Sequence, residues 1–313
     1  MPTAKLLDDS VARDSTNGRF HIPVSLLFYS LQRKHVGEIC FVKLRDERIA
    51  VTAIKKVCGF LDSFAPTRLA EDWDNVGLLV GDPAIEAKKV MTCLTVTPES
   101  ANEAIDKNVD LIVSHHPLPF RPLKRLTTET VPSRLLWDLV RAGVSIYSPH
   151  TGFDSASEGI NQTLGQKIGL TELSPLVPIK DDPAQLGSGR IGKHESAPSL
   201  KSFVETIKSE FALDGLHIVG DLDQSVELVA VACGSGGSFL EKARRAHCDT
   251  FVTGEATFHT CLEAKANGIS LVLLGHHTSE RFAVEDLSGR LASKFPDIEV
   301  WASEQESDPL AWV

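Results

Sequence analysis

Leu111-Ile112-Val113-Ser114-His115-His116-Pro117 sets a short apolar run directly before two imidazoles, and its reading decides the fold. Leu, Ile and Val behind Asp110 and ahead of Pro117 have the character of a buried strand in a parallel sheet. Open α/β sheets bind ligands just beyond the carboxyl ends of such strands. Adjacent side chains at a strand end project to different sides, so His115 and His116 suit two neighbouring ions better than one. A surface histidine pair in a loop is the plainer alternative for these residues taken alone.

Bulk properties bound the rest. The chain has 313 residues, 42% of them hydrophobic and 24% charged, enough for two domains or one large one with a sizeable core. No stretch approaches the length of a membrane span, and the N-terminus lacks the basic and apolar regions of a secretion signal, so a cytoplasmic address is expected. Cys40, Cys58, Cys93, Cys233, Cys248 and Cys261 lie scattered, without a CxxC pair, and read as reduced core residues. A net charge of −10 argues against broad contact with a phosphate backbone, leaving Arg121 to Arg125 as a local basic exception.

Met1 to about Ala50 carries no sustained period and reads as an appendage. From Val51 onward Ile54, Val57, Cys58, Leu61 and Phe64 fall at helical spacing, ended by Pro66. Glu71-Asp72-Trp73-Asp74-Asn75-Val76-Gly77 is a polar turn into a short strand, and its carboxylates read as turn residues rather than ligands. Strand Val90 to Val96, helix Pro98 to Lys107, strand Asp110 to Ser114, helix Ser133 to Ala142 and strand Val144 to Ser148 make a βαβ succession. The last strand opens onto Pro149-His150-Thr151-Gly152-Phe153-Asp154. The expected organisation is a first α/β half over residues 51–175, a junction over 176–198 and a second half over 199–313. Gly187-Ser188-Gly189-Arg190-Ile191-Gly192 in the junction lacks the Lys-Ser/Thr ending of a phosphate loop and reads as turn or linker.

The second half repeats the rhythm: strand Val226 to Ala232, Gly-rich turn, helix Phe239 to Ala246, strand Thr250 to Thr253, helix Thr257 to Ala266, strand Ile269 to Leu274. Asn108-Val-Asp-Leu-Ile-Val-Ser-His-His116 and His247-Cys-Asp-Thr-Phe-Val-Thr-Gly-Glu255 both place Asp before a short strand and a metal-capable residue after it, as an internal duplication would. Gly275-His276-His277-Thr278-Ser279-Glu280 then opens an amphipathic run, so His276 and Glu280 lie one helical turn apart on one face. Such a pair suits Zn, Mn, Fe or Mg, although helix capping by the same residues is an alternative. Six of the eleven histidines (His115, His116, His150, His259, His276, His277) fall at or just after predicted strand ends, with Asp154, Glu255 and Glu280 beside them.

These motifs in order, WDNVGLLVG, SHHP, SPHTGFD with EGIN, TGE, GHHTSE and the closing Asp308-Pro309, resemble the NIF3-like dinuclear metal-binding family, the GTP cyclohydrolase 1 type 2 homologues, from about Val51 onward. The resemblance implies two α/β domains sharing a cleft, two divalent ions held by His115, His116, Asp154, His276 and Glu280, with Glu280 bridging, and a toroidal homohexamer. Thr95 departs from the family pattern, in which many relatives carry Asp. His150 and Glu255 are candidates for residues behind the ligands. The expected function is a metal-dependent hydrolase acting on a nucleotide or other phosphorylated small molecule, with Arg121, Lys124 and Arg125 as anion contacts. Cyclohydrolase chemistry would need an activated water to attack C8 of a guanine ring. A noncatalytic metal-binding adaptor with a protein partner is the alternative.

Overall fold

The computed structural model describes residues 52–311, so the expected appendage, Met1 to about Ala50, lies outside the described residues. Helix α1 (Ile54–Phe64) buries Ile54, Val57 and Leu61, spaced by three and four as the sequence pattern requires. After β1 (Gly77–Val80) come β2 (Lys89–Cys93), α2 (Pro98–Asp106), β3 (Leu111–Ser114), α3 (Val131–Arg141) and β4 (Ser145–Ser148). Thr97 caps α2 reciprocally: its hydroxyl accepts from the Ser100 N–H, the Ser100 hydroxyl accepts from the Thr97 N–H, and Pro98 fills a first-turn position that needs no donor. β3 runs parallel between β2 and β4, and β1 closes one edge antiparallel to β4. β2 stops at Cys93, short of the expected Val96, because the N–H groups of Leu94 and Thr95 donate to the Glu306 carboxylate, at 2.8 and 2.6 Å, instead of to a strand.

Helices α4 (His150–Ser155) and α5 (Ile160–Lys167) lead into β5 (Thr171–Ser174), β6 (Val177–Pro178), β7 (Gly187–Ser188) and β8 (Arg190–Lys193). The stretch expected as a junction therefore contains strands, and β8 is hydrogen-bonded between β5 and the later β10 (Leu228–Ala232). Its glycines serve close packing rather than flexibility. A Cβ at Gly187 would lie 2.1 Å from the Val177 carbonyl oxygen. Between β8 and β10 lie α6 (Leu200–Glu210) and β9 (His217–Val219); α7 (Leu240–Arg245), β11 (Thr250–Thr253), α8 (Phe258–Asn267) and β12 (Ser270–Leu273) follow. The second sheet runs β5-β8-β10-β11-β12-β9, with β10, β11 and β12 parallel.

The repeat seen in the sequence has a structural counterpart. Asp110 Oδ2 accepts from the N–H groups of Lys88 and Lys89 at the start of β2, and Asp249 Oδ2 accepts from those of Glu227 and Leu228 at the start of β10. Each Asp thereby joins the beginnings of two neighbouring parallel strands.

The chain then crosses back. Helix α9 (His276–Lys294) starts at the end of β12, buries Ala283, Val284, Leu287 and Leu291, and delivers β13 (Glu299–Ala302), which pairs parallel with β2 in the first sheet. Residues 199–313 consequently do not form one half as expected. One continuous core joins Leu111 and Val113 of the first sheet to Val229 and Val272 of the second. Among the described residues, no helix is long and apolar enough to cross a membrane.

The returning segment is tied down by Glu103 of α2, whose buried carboxylate accepts from Trp301 Nε1, Ser303 Oγ and the N–H groups of Glu304 and Gln305. Burial opposes its ionisation, yet these donors prevail and hold its pKa down to about 2 from an ordinary 4.5. A depressed carboxylate pKa stabilises the fold above the unfolded value, and that stabilisation fades as pH falls from 4.5 toward 2. Glu103→Ala should cost about 3 kcal/mol at pH 7, read by urea unfolding, with the gap to wild type shrinking in acid. An equal gap at pH 7 and pH 3 would contradict this account.

Candidate metal centre

Every member of the site stands at the carboxyl end of a parallel strand or just beyond it. His115 and His116 prolong β3, their N–H groups donating to Cys93 O and Leu94 O at 2.9 and 2.8 Å. Just beyond β4, α4 opens at His150, a non-glycine residue held at φ +26°, with Asp154 one turn further along the helix. Such a backbone persists only where its surroundings enforce it. From the second sheet, β10 gives Cys233 and Gly234, β11 gives Glu255, and the first turns of α9 give His276 and Glu280.

Glu280 sits at the centre. Its Oε2 lies 3.2 Å from His116 Nε2 and 3.1 Å from His276 Nε2, without hydrogen-bond geometry to either, and its Oε1 lies 3.9 Å from His115 Nε2. His115 Nε2 is also 3.6 Å from Asp154 Oδ1. Ligand atoms of His116, His276 and Glu280 lie within 4.8 Å of one another, as do those of His115, His116 and His150. His116 thus belongs to both sets. His150, expected behind the ligands, reaches the ligand set itself.

The residues fit a divalent cation. Both ring nitrogens of buried His115, and Glu280 Oε2, have no hydrogen-bond partner, which in a protein interior is costly unless something else satisfies them. Space is reserved as well: a Cβ on Gly234 (φ +59°) would lie 2.2 Å from Glu280 Oε1 and 3.2 Å from His276 Nε2. Imidazole with carboxylate oxygen is a donor set for Zn, Mn or Fe.

Electrostatics follow from burial and proximity. Burial pushes the His115 pKa well below the usual imidazole value. Burial also raises Asp154 to about 7, reinforced by the negative charge of Glu280. Glu280 is buried too, but His116 and His276 hold its carboxyl far below the ordinary range. Contact with Glu280 raises His276 to about 9 against its own desolvation.

Behind the ligands, the rings of His116, His276 and His150 each have a partner on Nδ1, leaving Nε2 for the centre. Thr95 Oγ1 is 2.7 Å from His116 Nδ1, Glu255 Oε1 is 2.8 Å from His276 Nδ1, and Asp74 Oδ1 is 2.7 Å from His150 Nδ1. Ser235 Oγ donates to Glu255 at 2.6 Å. Asp74, kept down at about 2 by His150 and Thr151 despite burial, is therefore more than the turn residue its sequence context suggested. Cys233, expected as inert core, donates its thiol to Asp154 Oδ1 at 3.2 Å, while Asn161 bridges the Cys233 N–H and the Asp154 carbonyl. No spacing rule marks Cys233, but WDN and EGIN are visible signals for Asp74 and Asn161.

A cleft of about 480 Å³ opens onto the cluster, lined by Trp73, Phe120, His150, Ser235 and Phe239 among others, with no Lys or Arg lining it among the described residues. Arg121, Lys124 and Arg125 are exposed on the loop after β3 and do not line it. His259 and His277, counted at strand ends, stay outside both ligand sets.

The model of the Duf34/NIF3 (NGG1p interacting factor 3) family matches residues 52–309. A Schizosaccharomyces pombe protein named Protein NIF3 homolog is 35% identical, the match covering 82% of this chain and 96% of that protein. A Clostridium acetobutylicum protein named GTP cyclohydrolase 1 type 2 homolog is 32% identical over 76% of this chain and 89% of its own length. The crystal structure of a Staphylococcus aureus hypothetical protein superposes with TM-score 0.76 at 28% identity, covering 83% of this chain and 99% of that one. With the family model spanning nearly the whole described region, this chain belongs to the Duf34/NIF3 family.

Proposed function

We propose that this chain binds two divalent ions and is a metal-dependent hydrolase of a nucleotide-derived or related small molecule. The observation that carries the reading is buried His115, with both ring nitrogens unpartnered, beside Asp154 and Glu280. His115, His116, Asp154, His276 and Glu280 would hold the ions, with His150 adjoining. Bound there, they would supply Lewis acidity and make water a competent nucleophile at neutral pH. The chain's own part is to keep the ligating nitrogens aimed: Thr95, Glu255 and Asp74 engage the far side of three imidazoles. The names of relatives support guanine nucleotides as first substrates to try. The cleft walls favour a substrate with little negative charge away from the ions, since among the described residues no basic side chain lines them.

Elemental analysis of purified, reconstituted protein should find about two divalent ions per chain, with His115→Ala retaining about one and His116→Ala fewer still. The loaded wild type should turn over at least one member of a nucleoside and nucleotide panel that includes GTP, and His116→Ala should not. Metal binding without turnover of anything in the panel would leave the noncatalytic adaptor reading in its place.

A further inference from the structure

Trp73 and Phe120 form an exposed aromatic corner that neither the fold nor metal binding requires. Trp73 is 61% and Phe120 47% exposed, yet their rings touch each other, with centroids 6.0 Å apart. Both also face His150, at 6.0 and 6.1 Å, nearly edge-on. His150 in turn stands 5.2 Å from the His115 ring and 5.6 Å from the His116 ring. Exposed apolar side chains scattered singly need no explanation, but two large rings together at the mouth of a polar cleft mark a binding surface.

The corner is preformed. Trp73 and Phe120 come from separate segments, and Asn75 Nδ2 joins these by donating to Pro119 O at 2.8 Å. Asp74, between Trp73 and Asn75, is fixed by His150 and Thr151. Three consecutive residues of one turn thus present a ring, orient an imidazole and anchor the opposite loop. The walls restrict what can enter: Glu71, Asp154 and Glu280 contribute carboxylates, and among the described residues no Lys or Arg balances them. A cleft of about 480 Å³ is of a size for a small molecule.

We propose that this corner is a subsite for a planar heteroaromatic ring, which lies against Trp73 and Phe120 with its polar edge toward the histidine cluster. The ligand class is a nucleobase or nucleoside-like heterocycle, uncharged where it meets the walls, rather than a nucleoside polyphosphate. This deepens the hydrolase reading by naming its substrate class, and it rests on that reading for taking the cleft as the substrate site.

The test titrates the full, metal-loaded chain with guanosine, adenosine, cytidine, GTP and ribose 5-phosphate, following heat and tryptophan fluorescence. At least one nucleoside should bind and quench fluorescence, ribose 5-phosphate should give no quenching, and GTP should bind no tighter than guanosine. Trp73→Ala should weaken nucleoside binding roughly tenfold, the range expected for a lost aromatic stack, and Phe120→Ala should weaken it as well. Trp73→Phe should keep most of the affinity while losing most of the quenching, since a ring remains but the reporter is gone. Metal content and circular dichroism should match wild type in all three. Unchanged affinity in both alanine variants, or no nucleoside binding to wild type, would overturn the proposal. So would a change of mass by light scattering in the alanine variants with ring affinity intact, which would assign the pair to an interface between copies. Ring-dependent binding without any hydrolysis would sink the hydrolase reading and leave the subsite standing. Hydrolysis of a nucleoside-derived substrate by Trp73→Ala and Phe120→Ala with wild-type rate and KM would sink the subsite and leave the hydrolase reading standing.

Discussion

Adding Zn or Mn at a hundredfold excess over its dissociation constant should stabilise the wild-type chain by about 2.7 kcal/mol, roughly 5–10 °C in melting temperature. Glu280→Ala and Asp154→Asn should each abolish most of that rise. Asp154 comes from the first sheet's rim and Glu280 from α9, so a shared pair of ions would tie the two rims together. The double variant should lose hardly more than either single one, because residues of one site do not add. The metal-free chain separates the two variants further. Asp154 has a raised folded pKa, about 7 against 3.8, so its ionisation opposes folding. That penalty is absent below the unfolded value and fully present above the folded one. Metal-free Asp154→Asn should accordingly melt higher than wild type at pH 8 and match it near pH 4. Additive losses of the metal response, or a destabilised metal-free Asp154→Asn at pH 8, would mean the two carboxylates do not share a site.

The second large effect is expected at Arg190, 1% exposed and, among the described residues, without a carboxylate partner. Its guanidinium donates to the carbonyl oxygens of Ser155, Ala156, Gly187 and Gly189, while its Nε donates to Gln162 Oε1. Burial lowers its pKa only to about 10, so it stays charged at neutral pH. Arg190→Met removes the donors and leaves four carbonyls facing an apolar side chain, at a cost on the order of 4 kcal/mol. Arg190→Lys should rescue little, since an ammonium cannot reproduce the planar fork. Because Ser155 follows Asp154 directly, metal affinity should fall alongside stability. Melting within 2 °C of wild type in Arg190→Met would show that these carbonyls find other partners.

Much of the architecture was legible because hydrophobic period and strand-end chemistry are local. Ile54, Val57 and Leu61 announce α1, and the histidines after Leu111-Ile112-Val113 announce a sheet rim. What stayed hidden was non-local. Nothing around Glu299 to Ala302 states that this strand crosses to β2, and Gly187 to Gly192 looks like a linker because close packing and flexibility both select glycine. In the same way Cys233 looks like core until Asp154 is placed beside it, and Thr95 looks like a neutral exchange until its hydroxyl meets His116 Nδ1.

The partnership of β2 with β13 also sets an order of events during synthesis. The first sheet is encoded early, but its β2 edge has no neighbour on that side until β13 has been made, some two hundred residues later. A nascent chain on the ribosome therefore carries an open strand edge, the kind of surface that invites pairing with other chains, until β13 has been made. The same delay applies to α9, which carries His276 and Glu280. The centre thus cannot be assembled from the first half alone: its two rims meet only once α9 has been made.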